Sequence, residues 1–180
     1  MEWLLEMDGK LLLWLREIVC HPALDDSMRF ISKLNDDGMI WIAIGVLFLL
    51  MGIRKREWAG RGLLLLFSLL ADLLLCNMLL KPLFDRTRPY YVLGYEPLIA
   101  PVGDPSFPSG HTAVAFAAAT AIYAINKKWG IAAYIFAVLV GFSRLYLGVH
   151  FPLDVLGGAA AGVAAAKIVL YLAKKRKKAE

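Results

Sequence analysis

The sequence predicts an all-α fold: a polytopic membrane helix bundle of about five transmembrane helices, preceded by amphipathic surface helices at the N-terminus. Of the 180 residues, 59% are hydrophobic and only 19% are charged, which is unusual for a soluble domain. Several stretches approach the ~20 apolar residues that cross a ~30 Å hydrocarbon layer as a helix. The basic residues are concentrated between and after these stretches.

Five spans are predicted within residues 38–173, which form the membrane bundle. They are Met39–Ile53, Gly62–Leu80, Thr112–Ile125, Trp129–Phe142 and Val155–Ala173. The second span is apolar on every side, and this leaves no face for water and disfavours the alternative of a soluble helical bundle. In the fifth span, Gly158 and Gly162 form a small-xxx-small step that lets two helices approach closely.

Residues 1–37 form a predicted interfacial segment. Apolar residues recur at helical spacing from Trp3 to Val19, which predicts an amphipathic helix on the outer membrane face. Pro22 ends this helix, and a second short surface helix is expected over Asp26–Leu34. The competing interpretation makes residues 3–19 a sixth span and places the N-terminus inside.

Three basic clusters predict the orientation. Arg54–Arg56 precede the second span together with Arg61, Lys127 and Lys128 precede the fourth, and a basic tail at residues 174–180 follows the fifth. Positive loops stay in the cytoplasm. We therefore expect a multi-pass protein of the cell membrane. The segment Phe84–Pro108, the turn around His150 and the N-terminus should lie on the extracytoplasmic face. No nucleic-acid partner is expected, because the basic residues lie at membrane ends.

Two polar residues, Asp72 and Asn77, lie within the second span. At about 100° per residue, Asn77 shares a helix face with Lys81, whereas Asp72 lies about half a turn away from it. We expect Asn77 to support a site at Lys81, and Asp72 to pair with a polar group elsewhere in the bundle.

Three polar clusters lie at the predicted outer face. They are Lys81 to Pro89, Pro108 to His111, and Ser143-Arg144 followed by His150 and Asp154. Each residue alone has a structural explanation, as an interface anchor, a snorkelling cation or a surface histidine. Together, three cations beside two histidines are what a dianionic phosphate requires.

The local sequence indicates how these side chains can act. Ser109 is a natural N-cap, so its hydroxyl and the amides of Gly110 and His111 can point at an anion. Pro152 fits the first turn of a helix, which leaves the His150 ring just outside that helix. Asp154, one turn on, can hold one ring nitrogen and leave the other free to attack phosphorus.

The spacings K-x6-R-P, P-S-G-H and S-R-x5-H-x3-D, in this order, resemble the type-2 phosphatidic acid phosphatase superfamily, which includes membrane lipid phosphatases and soluble vanadium haloperoxidases. The resemblance covers residues 81–154. It implies that His150 is phosphorylated, that Asp154 orients it and that His111 is the general acid. The phosphoryl oxygens would be bound by Lys81, Arg88, Ser109, Gly110 and Arg144. No metal and no cofactor are implied, because the cations supply the positive charge.

Within this superfamily the chain is most similar to small bacterial undecaprenyl pyrophosphate phosphatases. The resemblance therefore implies hydrolysis of a polyprenyl pyrophosphate to the monophosphate and inorganic phosphate, with the membrane lipid substrate and the bilayer as partners. A phosphatidylglycerophosphate or phosphatidic acid phosphatase is the alternative, since the same residues would bind the headgroup. A lipid or anion transporter is the alternative from another class, and it would not need a histidine positioned by a carboxylate.

Overall fold

The computed structural model describes residues 2–179 of the chain, and Glu180, the last residue of the predicted basic tail, lies outside them. The predicted all-α fold is confirmed, since the described residues contain no strand. The helices are α1 (Glu2–Val19), α2 (Pro22–Leu34), α3 (Met39–Gly52), α4 (Arg56–Asp72), α5 (Lys81–Phe84), α6 (Pro89–Leu93), α7 (Gly110–Ile125), α8 (Lys127–Tyr146) and α9 (Pro152–Ala179). A 3-10 turn (Asp36–Gly38) precedes α3, and a π-helical segment (Leu73–Leu80) joins α4 to α5.

Helix α7 lies at the centre of the bundle, packed against α4, α8 and α9. Its alanines are buried, including Ala113 and Ala117 at 0% exposure. A Cβ at Gly162 would lie 2.0 Å from the main-chain oxygen of Ala113, and one at Gly158 would lie 2.5 Å from that of Ser109. The small-xxx-small step therefore brings α9 into backbone contact with the start of α7, where the polar clusters lie.

Three helical segments are long and apolar enough to cross a membrane, namely residues Arg56–Leu93, Lys127–Tyr146 and Pro152–Arg176. A fourth candidate is the pair Pro22–Leu34 and Asp36–Gly52, which is bent by 41°. Helix α7 is shorter, since its 16 residues extend about 24 Å along the axis. The protein is therefore a multi-pass membrane protein with three to four candidate spans, and the predicted count of five is not confirmed.

The N-terminal helix α1 leaves much of its apolar surface uncovered by the rest of the protein. Trp3, Trp14 and Ile18 are more than half exposed, whereas Asp8 and Leu12 are buried against the bundle. Helix α1 packs on α8 and α9. The exposed apolar side chains are compatible with the predicted interfacial position of α1, which stays a prediction. The opposite face of α1 packs against the helix bundle.

The basic clusters lie at the helix ends opposite the polar ones. Helix α4 begins at Arg56 and its π-helical extension leads to Lys81, while α8 begins at Lys127 and has Arg144 in its last turn. Helix α9 runs the other way, from a start next to His150 to the basic tail. The 18 residues from Lys127 to Arg144 correspond to about 27 Å of helix, which is close to the thickness of a bilayer core.

Candidate active site

A cavity of about 700 Å³ opens at the end of the bundle where the polar clusters meet. Six of the eight predicted site residues line it: Lys81, Arg88, Gly110, His111, Arg144 and His150. The other two, Ser109 and Asp154, are fully buried behind this lining. The structure therefore brings together side chains from five separate stretches of the chain.

Helix boundaries position these residues. Lys81 is the first residue of α5, Arg88 is the N-cap of α6, and Gly110 opens α7. Arg144 lies in the last turn of α8, and His150 precedes α9, which begins at Pro152 as predicted. Because the residues lie at helix ends, a rigid bundle holds them while they still face an open space.

The imidazole of His150 lies between Asp154 and the cavity. Its Nδ1 is 3.5 Å from Asp154 Oδ2 and 3.5 Å from the Ser106 hydroxyl, which itself donates to the same carboxylate oxygen at 2.5 Å. The main-chain N–H of Phe151 also donates to that oxygen, at 2.8 Å. Asp154 is thereby fixed beside Nδ1, and this leaves Nε2 on the side of Arg88, whose Nη1 is 3.4 Å away.

Burial governs the protonation of His150. The side chain is 2% exposed, and burial lowers the pKa of its imidazole to about 3, with the charges of Arg88 and Arg144 acting in the same direction against Asp154. The ring is therefore neutral at physiological pH, and its Nε2 lone pair is available as a nucleophile when Nδ1 carries the proton.

Asp104, from the loop before α7, binds two of the three cations. Its Oδ1 accepts a hydrogen bond from Arg88 Nη2 at 2.5 Å, and its Oδ2 accepts one from Lys81 Nζ. Although partial burial acts to raise it, the hydrogen bond and charge of Lys81, followed by those of Arg88, lower the pKa of Asp104 to about 2. Arg88 also donates from Nε to the main-chain oxygen of Asp104 at 2.8 Å.

Arg144 is the third cation, and it is buried at 3% exposure. Its Nη1 donates to the Ser32 hydroxyl, while its Nε has no hydrogen-bond partner. Within residues 2–179 it forms no ion pair with a carboxylate. A buried guanidinium without a contact ion pair is costly, which makes Arg144 a candidate for binding an anion in the cavity.

His111 is held by the turn between α2 and α3. Its Nε2 lies 2.9 Å from Asp36 Oδ1, and its main-chain oxygen accepts from Asn35 Nδ2 at 2.9 Å. Asn35 is fully buried and also accepts from Trp41 Nε1 at 2.7 Å. The second histidine therefore has a carboxylate partner of its own, separate from that of His150.

Ser109 is the N-cap residue of α7, but its hydroxyl makes no capping hydrogen bond and accepts instead from Thr112 Oγ1 at 3.0 Å. Its main-chain N–H donates to the main-chain oxygen of Asp154. Because the hydroxyl accepts this hydrogen bond and keeps its own proton, its contact with an anion stays a prediction. Gly110 does line the cavity, and a Cβ there would lie 3.1 Å from Asn77 Oδ1 and 3.8 Å from Lys81 Nζ.

Asn77 lines the cavity next to Lys81, as expected, and Asp72 lines it as well. The expected half-turn separation of Asp72 from Lys81 is wrong, because the chain between them is π-helical. A π-helix turns less per residue than an α-helix, so it changes the face on which later residues lie. Asp72 is buried and its Oδ1 has no hydrogen-bond partner, so the expected pairing within the bundle is not seen for this atom.

The sequence matches the PAP2 superfamily over residues 61–178. The chain belongs to the PAP2 superfamily. It is 40% identical over 84 residues to an undecaprenyl-diphosphatase of Bacillus subtilis (strain 168), covering 47% of this chain and 44% of that one. It is 30% identical over 174 residues to a lipid A 4'-phosphatase of Porphyromonas gingivalis, covering 91% of this chain and 71% of that one.

The crystal structure of a transmembrane PAP2-type phosphatidylglycerolphosphate phosphatase from Bacillus subtilis superposes with a TM-score of 0.80 at 30% identity, covering 97% of this chain and 88% of that one. The expected family is thus confirmed. The chain spans less than half the length of the first relative. Because the three relatives are named for three different lipid phosphates, their names agree on the reaction and differ on the substrate.

Four charged residues at or next to this PAP2 site were missed from the sequence: Asp8, Asp36, Arg86 and Asp104. Arg86 Nη1 donates to Asp154 Oδ1 at 2.7 Å, and Arg86 Nη2 donates to Asp8 Oδ2 at 2.7 Å. The position of Arg86 between Lys81 and Arg88 was one available signal. Asp8 offered another, since it lies one turn before Leu12 and so shares the buried face of α1.

Proposed function

We propose that this protein is a membrane lipid phosphatase that removes a phosphoryl group through a phosphohistidine on His150. The observation that carries the proposal is the single cavity in which the three cations face two histidines. Lys81, Arg88 and Arg144 bind the phosphoryl oxygens, and Gly110 leaves room for them. These interactions stabilise the charge that spreads over the equatorial oxygens in the transition state.

The reaction proceeds in two displacements. The Nε2 lone pair of His150 forms a bond to phosphorus while the bond from phosphorus to the leaving oxygen breaks. That oxygen takes the electron pair and a proton from the charged form of His111, which Asp36 favours although burial lowers the pKa of this ring to about 4. Water then attacks phosphorus, gives its proton to His111, and breaks the N–P bond, releasing inorganic phosphate. Asp154 holds Nδ1 and stabilises the positive ring of the intermediate.

We further propose that the substrate is a polyprenyl pyrophosphate, in particular undecaprenyl pyrophosphate, which is converted to the monophosphate. Below its polar end the cavity is lined by apolar side chains, namely Ile42, Leu66, Leu69, Leu70, Leu73 and Val114. Such a lining suits a long hydrocarbon tail. The 40% identity with an undecaprenyl-diphosphatase supports this substrate. The second candidate is a phosphatidylglycerophosphate or another lipid phosphate, which the similarity in fold to the phosphatidylglycerolphosphate phosphatase favours.

We also propose that the site faces the extracytoplasmic side. The cavity lies at the helix ends opposite the basic clusters, and positively charged loops favour the cytoplasm. The test is to label single-cysteine variants at Glu96, in the loop on the site side, and at Lys128 with a membrane-impermeant maleimide in intact cells, after Cys20 and Cys76 are replaced by serine. Labelling of Lys128→Cys alone would contradict the proposed orientation.

The experiment that tests the function measures phosphate release by the purified protein in detergent. The panel contains undecaprenyl pyrophosphate, phosphatidylglycerophosphate, phosphatidic acid and a phosphorylated lipid A. We expect the highest kcat/KM with undecaprenyl pyrophosphate, and His150→Ala to lower phosphate release by at least about 10³-fold. His21→Ala is the matched control, because His21 is exposed at the start of α2. Normal phosphate release by folded His150→Ala protein would show that the nucleophile is wrongly assigned.

A further inference from the structure

A row of charged side chains connects α1 with His150. Asp8 Oδ2 accepts from Arg86 Nη2 at 2.7 Å, and Arg86 Nη1 donates to Asp154 Oδ1 at 2.7 Å. Asp154 Oδ2 then lies 3.5 Å from His150 Nδ1. The side chains of Asp8 and Asp154 are 1% and 0% exposed, and that of Arg86 is 14% exposed. Water therefore screens the charges of this row only weakly.

The charges along the row match the intermediate of the proposed reaction. Asp8, Arg86 and Asp154 carry −1, +1 and −1, so one negative charge remains. When Nε2 is phosphorylated, the ring of His150 becomes a cation with a proton on Nδ1. Without Asp8, Arg86 would neutralise Asp154, and no net negative charge would remain beside the ring. Asp8 thus preserves the effect of Asp154 on the histidine.

Asp8 also holds the start of α9 in place through a hydrogen bond. Its Oδ1 accepts from the main-chain N–H of Leu153 at 3.0 Å, an amide of the first helical turn that has no partner within the helix. The guanidinium of Arg86 lies 4.1 Å from the ring centroid of Phe151, a cation–π contact beside the histidine. The residues that flank His150 are therefore held from α1, which lies outside the family match at residues 61–178.

We propose that Asp8 is a positioning residue for the reaction at His150. It holds Arg86, and it keeps one negative charge available to polarise the imidazole and stabilise the phosphohistidine. The inference rests on the proposed role of His150 as the nucleophile. Asp8 itself does not line the cavity, so it acts through Arg86 and Asp154 and not on the substrate.

The first test compares Asp8→Asn with Glu6→Gln in the full-length protein, using the best substrate of the panel. Both changes replace a carboxylate of α1 by its amide, but Glu6 is exposed and, among the residues that the structure describes, forms an ion pair only with Lys10. We expect Asp8→Asn to lower kcat about tenfold and to change KM less than about twofold, because one buried charge is lost away from the substrate. Glu6→Gln should match the wild type. Equal kcat values for the two variants would overturn the inference.

The second test separates charge from a purely structural role. In the double variant Asp8→Asn, Arg86→Gln the row again carries −1, and a glutamine amide can still donate to Asp154. We expect its kcat to return to within about threefold of the wild type. A purely structural role predicts that the double variant is at least as impaired as Asp8→Asn, and that result would overturn the inference. Because the double variant removes Asp8 and Arg86 together and leaves Asp154 hydrogen-bonded to Ser106 and Phe151, this comparison with the wild type remains possible if Asp8→Asn does not fold.

Failure of the inference can be told apart from failure of the proposed function. If phosphate release persists in His150→Ala, His150 is not the nucleophile. The role proposed for the row of charged side chains then fails as well. If His150→Ala is inactive but Asp8→Asn is fully active, only the role proposed for Asp8 is disproved. Thermal unfolding in detergent, measured for every variant, confirms that the kinetic comparison is made on folded protein.

Discussion

The carboxylate of Asp104 lies on the guanidinium of Arg88, with Oδ1 2.5 Å from Nη2. The other carboxylate oxygen accepts from Lys81. A phosphoryl group offers the same kind of charged oxygen acceptors to these donors. Asp104 therefore takes positions on Lys81 and Arg88 that the proposed substrate requires, and the substrate has to displace it.

Replacing Asp104 by Asn should tighten phosphate binding. Since the amide competes less well for the two cations, we expect KM to fall several-fold and inhibition by vanadate to strengthen similarly. The pKa of about 2 means that Asp104 stays ionised at pH 5–8, so the effect should be independent of pH there. Glu96→Gln, at an exposed position of the same loop, is the control. A rise in KM would indicate instead that Asp104 holds the cations in place for the substrate.

The protonation of His150 can be measured directly. Because the pKa of its imidazole is about 3, the ring binds a proton only as the pH falls well below 5, and at pH 5–8 it should be neutral with the proton on Nδ1. Nitrogen-15 NMR of imidazole-labelled protein in micelles, assigned with His150→Gln, gives the charge and the tautomer. A His150 ring that titrates between pH 6 and 7 would disprove this assignment.

The loss of activity on replacing Asp36 should depend on whether the leaving group needs a proton. Its Oδ1 lies 2.9 Å from His111 Nε2, so Asp36→Asn should weaken the positioning of the proposed general acid. We expect kcat to fall about tenfold with a lipid phosphate, and much less with p-nitrophenyl phosphate, whose leaving group needs no proton. Asp37→Asn, in the same turn, is the control. Equal losses with both substrates would indicate a structural role for Asp36.

Chelation of metal ions should leave the activity unchanged. Lys81, Arg88 and Arg144 line the cavity. In the proposed mechanism they supply the positive charge that Mg²⁺ provides in other phosphoryl transfers. Phosphate release should therefore be the same with and without EDTA, and vanadate should inhibit in both cases. Strong inhibition by EDTA that added Mg²⁺ reverses would contradict a mechanism based on these cations alone.

The apolar runs and the motif residues could be predicted from the sequence because both depend on local order. Hydrophobic stretches located the helices α3, α4, α7, α8 and α9, and Pro152 gave the start of α9. The spacing of Lys81, Arg88, His111, Arg144 and His150 indicated one site, and all five line one cavity. The number of spans could not be predicted in the same way, because helix length and bending depend on the neighbouring helices.

The contacts of Asp104 and Asp8 were decided by the tertiary structure alone. Asp8 meets Leu153 across 145 positions of the chain, and Arg86 meets Asp154 across 68. Periodicity reports which face of a helix is apolar, but it does not report which buried carboxylate meets which distant cation. The sequence by itself thus determined the kind of helix bundle and the main chemical groups. Packing decided how each charge is balanced, because the free energy of a buried ion depends on the groups within a few ångströms of it.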